Sequence, residues 1–191
     1  MRKQLVVALV AFAVVNALAA GFGLKPGLWE SRIVKQLVDG RDVTSQVTGA
    51  MSQMQSTLAR LPPDQRAQME AMMKEHGALT TGTAGTTKLC ISPEMAARNN
   101  PFVDPEGHCQ PAKINHSGNH TTFEINCSVS GTAMTGKGES TATGDVITSR
   151  VDVNTRMQNG TTHVMHNETE MKFIGSDCGD VKPIPLPKDK P

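Results

Sequence analysis

The chain has 191 residues, of which 38% are apolar, 19% charged and 3% aromatic, with one Trp, no Tyr and a net charge of +1. That balance gives no broad basic field for gripping phosphate backbones or anionic lipid, and so few rings leave no platform for stacked bases, which argues against nucleic acid as a partner. The length fits one compact domain.

The first residues read as an export signal spanning 1–19. Met1-Arg2-Lys3 is the basic start, Leu5 to Val15 the apolar stretch, and Ala17-Leu18-Ala19 a small-residue cleavage site. The apolar stretch is shorter than the roughly 20 residues that span a bilayer. No Cys lies near the cleavage site for a lipid anchor, and no later segment is apolar enough to cross. The expectation is an exported mature chain, with no membrane span, in which acids exceed bases by one once Arg2 and Lys3 are removed.

Leu28 to Val38 is the first strand, opened by Pro26-Gly27 and closed by the turn pair Asp39-Gly40. Residues 45–77 change character. Val47, Met51, Met54, Leu58 and Leu61 step by four and three, as one face of a helix does, and Pro62-Pro63 ends that helix and opens a second. The pair forms an inserted helical hairpin, followed by the loose stretch Thr80 to Thr87.

Thr86 to Ile91 is a short strand, after which Ser92 caps a brief helix with Pro93 at its first position. Ala112 to Ser117 and Thr121 to Val129 form a hairpin about Gly118-Asn119. Thr132 to Ala142 and Val146 to Met157 form another about Gly144-Asp145, and Thr161 to Ile174 is the last strand. Residues 179–191 form a Pro-rich tail.

Alternation along Val146 to Met157 puts Ile147, Val151, Val153 and Met157 on one side and Arg150, Asp152, Asn154 and Arg156 on the other. Keeping Met165, Thr169, Met171 and Phe173 on the inner side demands a three-residue loop, Gln158-Asn159-Gly160, with Gly160 in a left-handed bulge. The Gly144-Asp145 turn pairs Val153 with Gly136 and Val151 with Gly138, which leaves a glycine furrow on the buried side. The helical hairpin or a ligand is expected to fill it.

Four cysteines, Cys90, Cys109, Cys127 and Cys178, form two disulfides in an oxidising compartment, and no C-x-x-C pair offers a redox or zinc motif. Three connectivities are open; the parity argument, with Cys90 and Cys109 outward and Cys127 inward, favours Cys90–Cys109 and Cys127–Cys178.

The chemistry-bearing motifs are absent: no G-x-S-x-G elbow, no H-E-x-x-H, no phosphate loop and no dinucleotide fingerprint. The six histidines, His76, His108, His116, His120, His163 and His166, follow no triad spacing. The expected protein is not an enzyme, with no cofactor and no catalytic residue. One cluster has metal-binding colour: Met69, Met72, Met73 and His76 recur at helical spacing, and thioether with imidazole suits Cu(I). The same stripe serves equally as an adaptable apolar helix face. His163 and His166, three apart in a strand, point to opposite sides and do not share an ion.

Pro26-Gly27-Leu28-Trp29-Glu30, Leu61-Pro62-Pro63-Asp64-Gln65-Arg66, Met69-Glu70-Ala71-Met72-Met73, Cys90-Ile91-Ser92-Pro93-Glu94 and Gly175-Ser176-Asp177-Cys178, in that order, resemble the exported bacterial family known as domain of unknown function 3617. The resemblance spans essentially the whole mature chain. It implies a periplasmic location and supplies no activity, substrate or site residue.

The resulting expectation is one α+β domain over residues 20–178: a curved antiparallel β-meander of about seven or eight strands with an inserted amphipathic helical hairpin, and Trp29 in the core. Its function is that of a non-catalytic periplasmic module binding an apolar small molecule or an envelope protein partner. The alternatives are a Cu(I) buffer built on the helix methionines and a purely structural envelope protein.

Overall fold

The computed structural model describes residues 24–75, 80–81, 85–98, 108–110 and 113–183, of which 70–75 and 80–81 are described by backbone alone. The export signal expected over residues 1–19 therefore lies outside the described residues. In chain order the elements are β1 (Gly27–Val38), β2 (Arg41–Asp42), α1 (Thr44–Arg60), α2 (Pro63–Glu75), β3 (Thr80–Thr81), β4 (Thr87–Ile91), α3 (Pro93–Ala96), β5 (Lys113–Ser117), β6 (His120–Val129), β7 (Thr132–Thr143), β8 (Val146–Arg156) and β9 (Thr162–Gly175). One open sheet runs β3-β4-β1-β9-β8-β7-β6-β5, every pair antiparallel, with β2 beside β1. This is the expected α+β meander, with the first strand next to the last.

Turn chemistry fixes the register. Ser117 pairs with His120, Val129 with Thr132 and Thr143 with Val146, so three successive hairpins close through two residues. The last hairpin closes through three, as the inner methionines require: Arg156 pairs with Thr162, the Met157 amide donates to the Thr161 carbonyl at 2.8 Å, and Gly160 has φ +84°. A side chain at that angle would crowd its own backbone.

The core gathers where β1, β4 and β8 converge. Trp29 is 0% exposed and Ile147 1%, and both cluster with Ile91 and Met95. The Phe173 ring meets Trp29 edge-on at 5.3 Å, and the indole Nε1 donates to the Lys25 carbonyl at 2.8 Å. Helix α3 closes this end. The Ser92 hydroxyl accepts from the Met95 amide at 3.1 Å, and that cap aims Met95 into the cluster.

Gly136 and Gly138 pair with Val153 and Val151, yet neither helix nor ligand is needed to fill their furrow. A Cβ at Gly136 would stand 2.9 Å from Ile125 Cγ1, and one at Gly138 2.6 Å from both Phe123 Cζ and the Arg150 carbonyl oxygen. The neighbouring strand leans its own side chains across the gap. Gly138→Ala should accordingly cost about 1–3 kcal/mol, because the carbonyl cannot rotate away. Gly49→Ala, on an open stretch of α1 with nothing within 4 Å, should gain about 0.5–1 kcal/mol. Urea unfolding of the two variants would show opposite signs; equal shifts would refute the packed furrow.

Helix α1 lies along β1, and α2 lies against α1. Val47, Met51, Leu58 and Leu61 are half-buried as the spacing requires, but Met54 is 45% exposed. The inward position beside it belongs to Gln55, whose amide donates to the Thr86 carbonyl at 3.4 Å and accepts from the Gly85 amide at 3.3 Å. A polar clip to the segment entering β4 replaces a methionine contact.

The disulfides correct the parity argument: the bonds are Cys90–Cys178 and Cys109–Cys127, not Cys90–Cys109 and Cys127–Cys178. Cys90 does face away from Leu89 and Ile91, but residues 178–183 return over that side, where Pro183 bridges to Cys90 in parallel. Residues 108–110 add a short edge to β6. The Ser128 amide donates to the His108 carbonyl and the Gln110 amide to the Asn126 carbonyl, which leaves Cys109 and Cys127 directly opposite as a non-hydrogen-bonded pair. Side chains approach most closely at such pairs.

Candidate functional site

The parity that buries Ile125, Ile147 and Val153 sends the charged residues of the same strands to the other face. Register then arranges them in rows. One row crosses Lys113 on β5, Glu124 on β6, Lys137 on β7, Asp152 on β8 and His166 on β9. The next crosses Asn115, Thr122, Glu139, Arg150 and Glu168, and ends at Lys35 on β1. Charge alternates along the first row and along the second from Glu139 to Lys35, and each opposite pair across strands is worth roughly 0.2–1 kcal/mol. Most of these side chains line a cleft of about 570 Å³.

The ion pairs within it are specific. His166 sits between two carboxylates, with Nδ1 2.8 Å from Asp152 Oδ1 and Nε2 3.1 Å from Glu168 Oε1. An ionised carboxylate only accepts, so the imidazolium, with a proton on each nitrogen, is the form that satisfies both contacts. Arg150 reaches Glu139 at 3.7 Å and Glu168 at 4.0 Å, and Lys113 reaches Glu124 at 3.6 Å. Beyond the cleft, Arg32 Nε lies 2.9 Å from Glu170 Oε1.

Titration follows from this geometry. The hydrogen bonds to Asp152 and then Glu168 raise the His166 pKa above its usual value, and the bond from His166 lowers that of Glu168. A raised imidazole pKa means that the ring's contribution to stability is complete below its unfolded value, near 6.5, and is lost as pH rises through the folded one. Wild-type stability should therefore fall through that alkaline-going window by up to about 1 kcal/mol, since the side chain is one-quarter exposed. His166→Gln should flatten this part of the profile in urea titrations at stepped pH. An unchanged slope would show that the clamp carries no stability.

The positions singled out in the sequence are scattered. Met69 lies on α2 and is 43% exposed; Met72 and Met73 follow on the same helix by backbone, and His76 is outside the described residues. No cluster of three or more His, Cys, Asp or Glu suited to a metal ion occurs among the described residues. His163 and His166 do face opposite ways, His163 bonding Asp39 at 2.8 Å and His166 bonding Asp152. The charged rows were missed, although their signal is in the sequence: parity assigns the charges to a face, and the three two-residue turns together with the three-residue loop at 158–160 fix which charges meet.

A family model described as "Protein of unknown function (DUF3617)" matches residues 24–178. A protein of Pseudomonas putida described as "Uncharacterized protein in lpd-3 5'region" is 35% identical over 105 residues, which cover 54% of this chain and 69% of that protein. No solved structure matches the chain.

Proposed function

We start from the fact that this chain belongs to the DUF3617 family, and infer that it is an exported, non-catalytic binding protein that engages a protein partner through the charged face of its sheet. The observation that carries this reading is the cleft of about 570 Å³ crossed by two rows of alternating charge. Mixed charge on a concave surface favours one orientation of a polar partner. The glycine furrow gives an apolar small molecule no room of its own, since Phe123 and Ile125 fill it.

Export is supported by the leader-like residues 1–19 and by two disulfides with no free cysteine among the described residues. Among those residues no helix is long and apolar enough to cross a membrane. The non-catalytic part of this reading rests on the sequence, which carries no G-x-S-x-G, H-E-x-x-H, phosphate-loop or dinucleotide motif.

Crosslinking in intact cells of the native host tests the reading. A partner should be captured by the wild type, lost with Lys137→Glu/Arg150→Glu and retained with Gln53→Glu, a control on exposed α1. Capture indifferent to the cleft substitutions would overturn the binding face. An uncleaved leader and reduced thiols in the cytosolic fraction would overturn export.

A further inference from the structure

Asp152 lies in register between two cations, Lys137 on one neighbouring strand and His166 on the other. It is hydrogen-bonded to His166 at 2.8 Å. The acid on the far side of Lys137, Glu124, is engaged by Lys113 at 3.6 Å. Lys137 is exposed and lines the cleft, and its ammonium has no hydrogen bond or ion pair among the described residues. Both of its natural counter-ions are thus turned toward other cations, and Asn115 and Thr122 add uncharged polar groups to the same lining.

We propose that the cleft binds an anionic group at the Lys137 ammonium, and that the proton on His166 gates this site through their shared neighbour Asp152. The proposal rests on the cleft being the binding face and names the chemistry that face takes: a carboxylate, phosphate or sulfate borne by the partner. With His166 protonated, Asp152 is held by the imidazolium and the ammonium is left to the ligand. When the ring loses its proton, Asp152 keeps at most one hydrogen bond to it, and its charge becomes available to Lys137 across the β7–β8 ladder. The anion must then compete with a tethered carboxylate.

The other groups around His166 set the background without replacing this link. They are Arg150 on β8, Glu168 on its own strand, and Lys35 and Leu37 on β1. Arg150 is engaged by Glu139 and Glu168, so its charge does not change the competition at Lys137. The site is solvent-exposed, and the effect should fade with salt.

Inorganic sulfate, whose charge is constant over the range, is a suitable probe. It would be titrated against the purified full chain at constant ionic strength with chloride as reference, following backbone amide shifts at about pH 6 and about pH 9. Amides near Lys137, Gly138 and Asp152 should respond at the lower pH, with affinity roughly three- to tenfold weaker at the higher. Lys137→Gln should abolish the response at both. His166→Gln should give the weak affinity at both pH values and Asp152→Asn the strong one; their spectra report folding in the same experiment. A pH dependence that survives in His166→Gln, or persists in Asp152→Asn, would overturn the gate. No sulfate response at either pH would overturn the anionic ligand, while a crosslinked partner still lost in the cleft variant would leave the proposed function standing.

Discussion

Replacing Trp29 with Ala should lower the unfolding free energy by about 3–5 kcal/mol. The indole is wholly buried, its ring edge meets Phe173, and Ile91, Met95 and Ile147 surround it. Truncation removes that burial and leaves a cavity that three separate strands and α3 cannot collapse together to fill. It also leaves the Lys25 carbonyl without the indole donor. At about 2–4 °C per kcal/mol for a domain of this size, the melting temperature should fall by roughly 10 °C. Trp29→Phe keeps most of the apolar volume and should cost less than half as much. Thermal and urea unfolding by circular dichroism would measure both; a loss below about 1.5 kcal/mol for Ala would mean that the core lies elsewhere.

The second large effect concerns the disulfides, and it separates them. Cys90–Cys178 closes 88 residues and Cys109–Cys127 closes 18. Loop entropy alone assigns about 4–5 kcal/mol to the first and about 3 kcal/mol to the second. The double variant Cys90→Ala/Cys178→Ala should therefore be the less stable, and it also frees the C-terminal segment from β4. Cys109→Ala/Cys127→Ala should release only the edge beside β6. Denaturant midpoints of the two, with non-reducing peptide maps of the wild type, would check both the order and the connectivity. The reverse order would show that contacts of the edge segment outweigh chain entropy.

Much of the sheet was legible because its signals are local. Gly144-Asp145 and Gly160 fix register within a few residues of themselves, and alternation then assigns faces, so the pairings of Gly136 with Val153 and Gly138 with Val151 and the left-handed Gly160 follow. Trp29 was legible by its size alone. The cysteine partners were not. Parity tells which way a thiol points and not which strand returns to meet it. Cys90 points outward as its neighbours require, and it is buried by a segment nearly ninety positions away. Met54 failed for a related reason: helical spacing defines a face, but the place of Gln55 was decided by Thr86 and Gly85. The charged cleft needed no distant information; it needed several registers composed at once.

The strand made first is completed by the strand made last. Ser31 pairs with Met171 and Val38 with Met165, so β1 waits for almost the entire chain before its central neighbour exists. The closing of β1 on β9 is the most non-local pairing among the named strands, and during vectorial synthesis it leaves an adhesive ribbon unguarded. The nested cysteines sharpen the problem: Cys109 emerges before Cys178, so oxidation in order of appearance ties Cys90 to the wrong thiol. The native pairing then requires thiol–disulfide exchange that releases the early mispair.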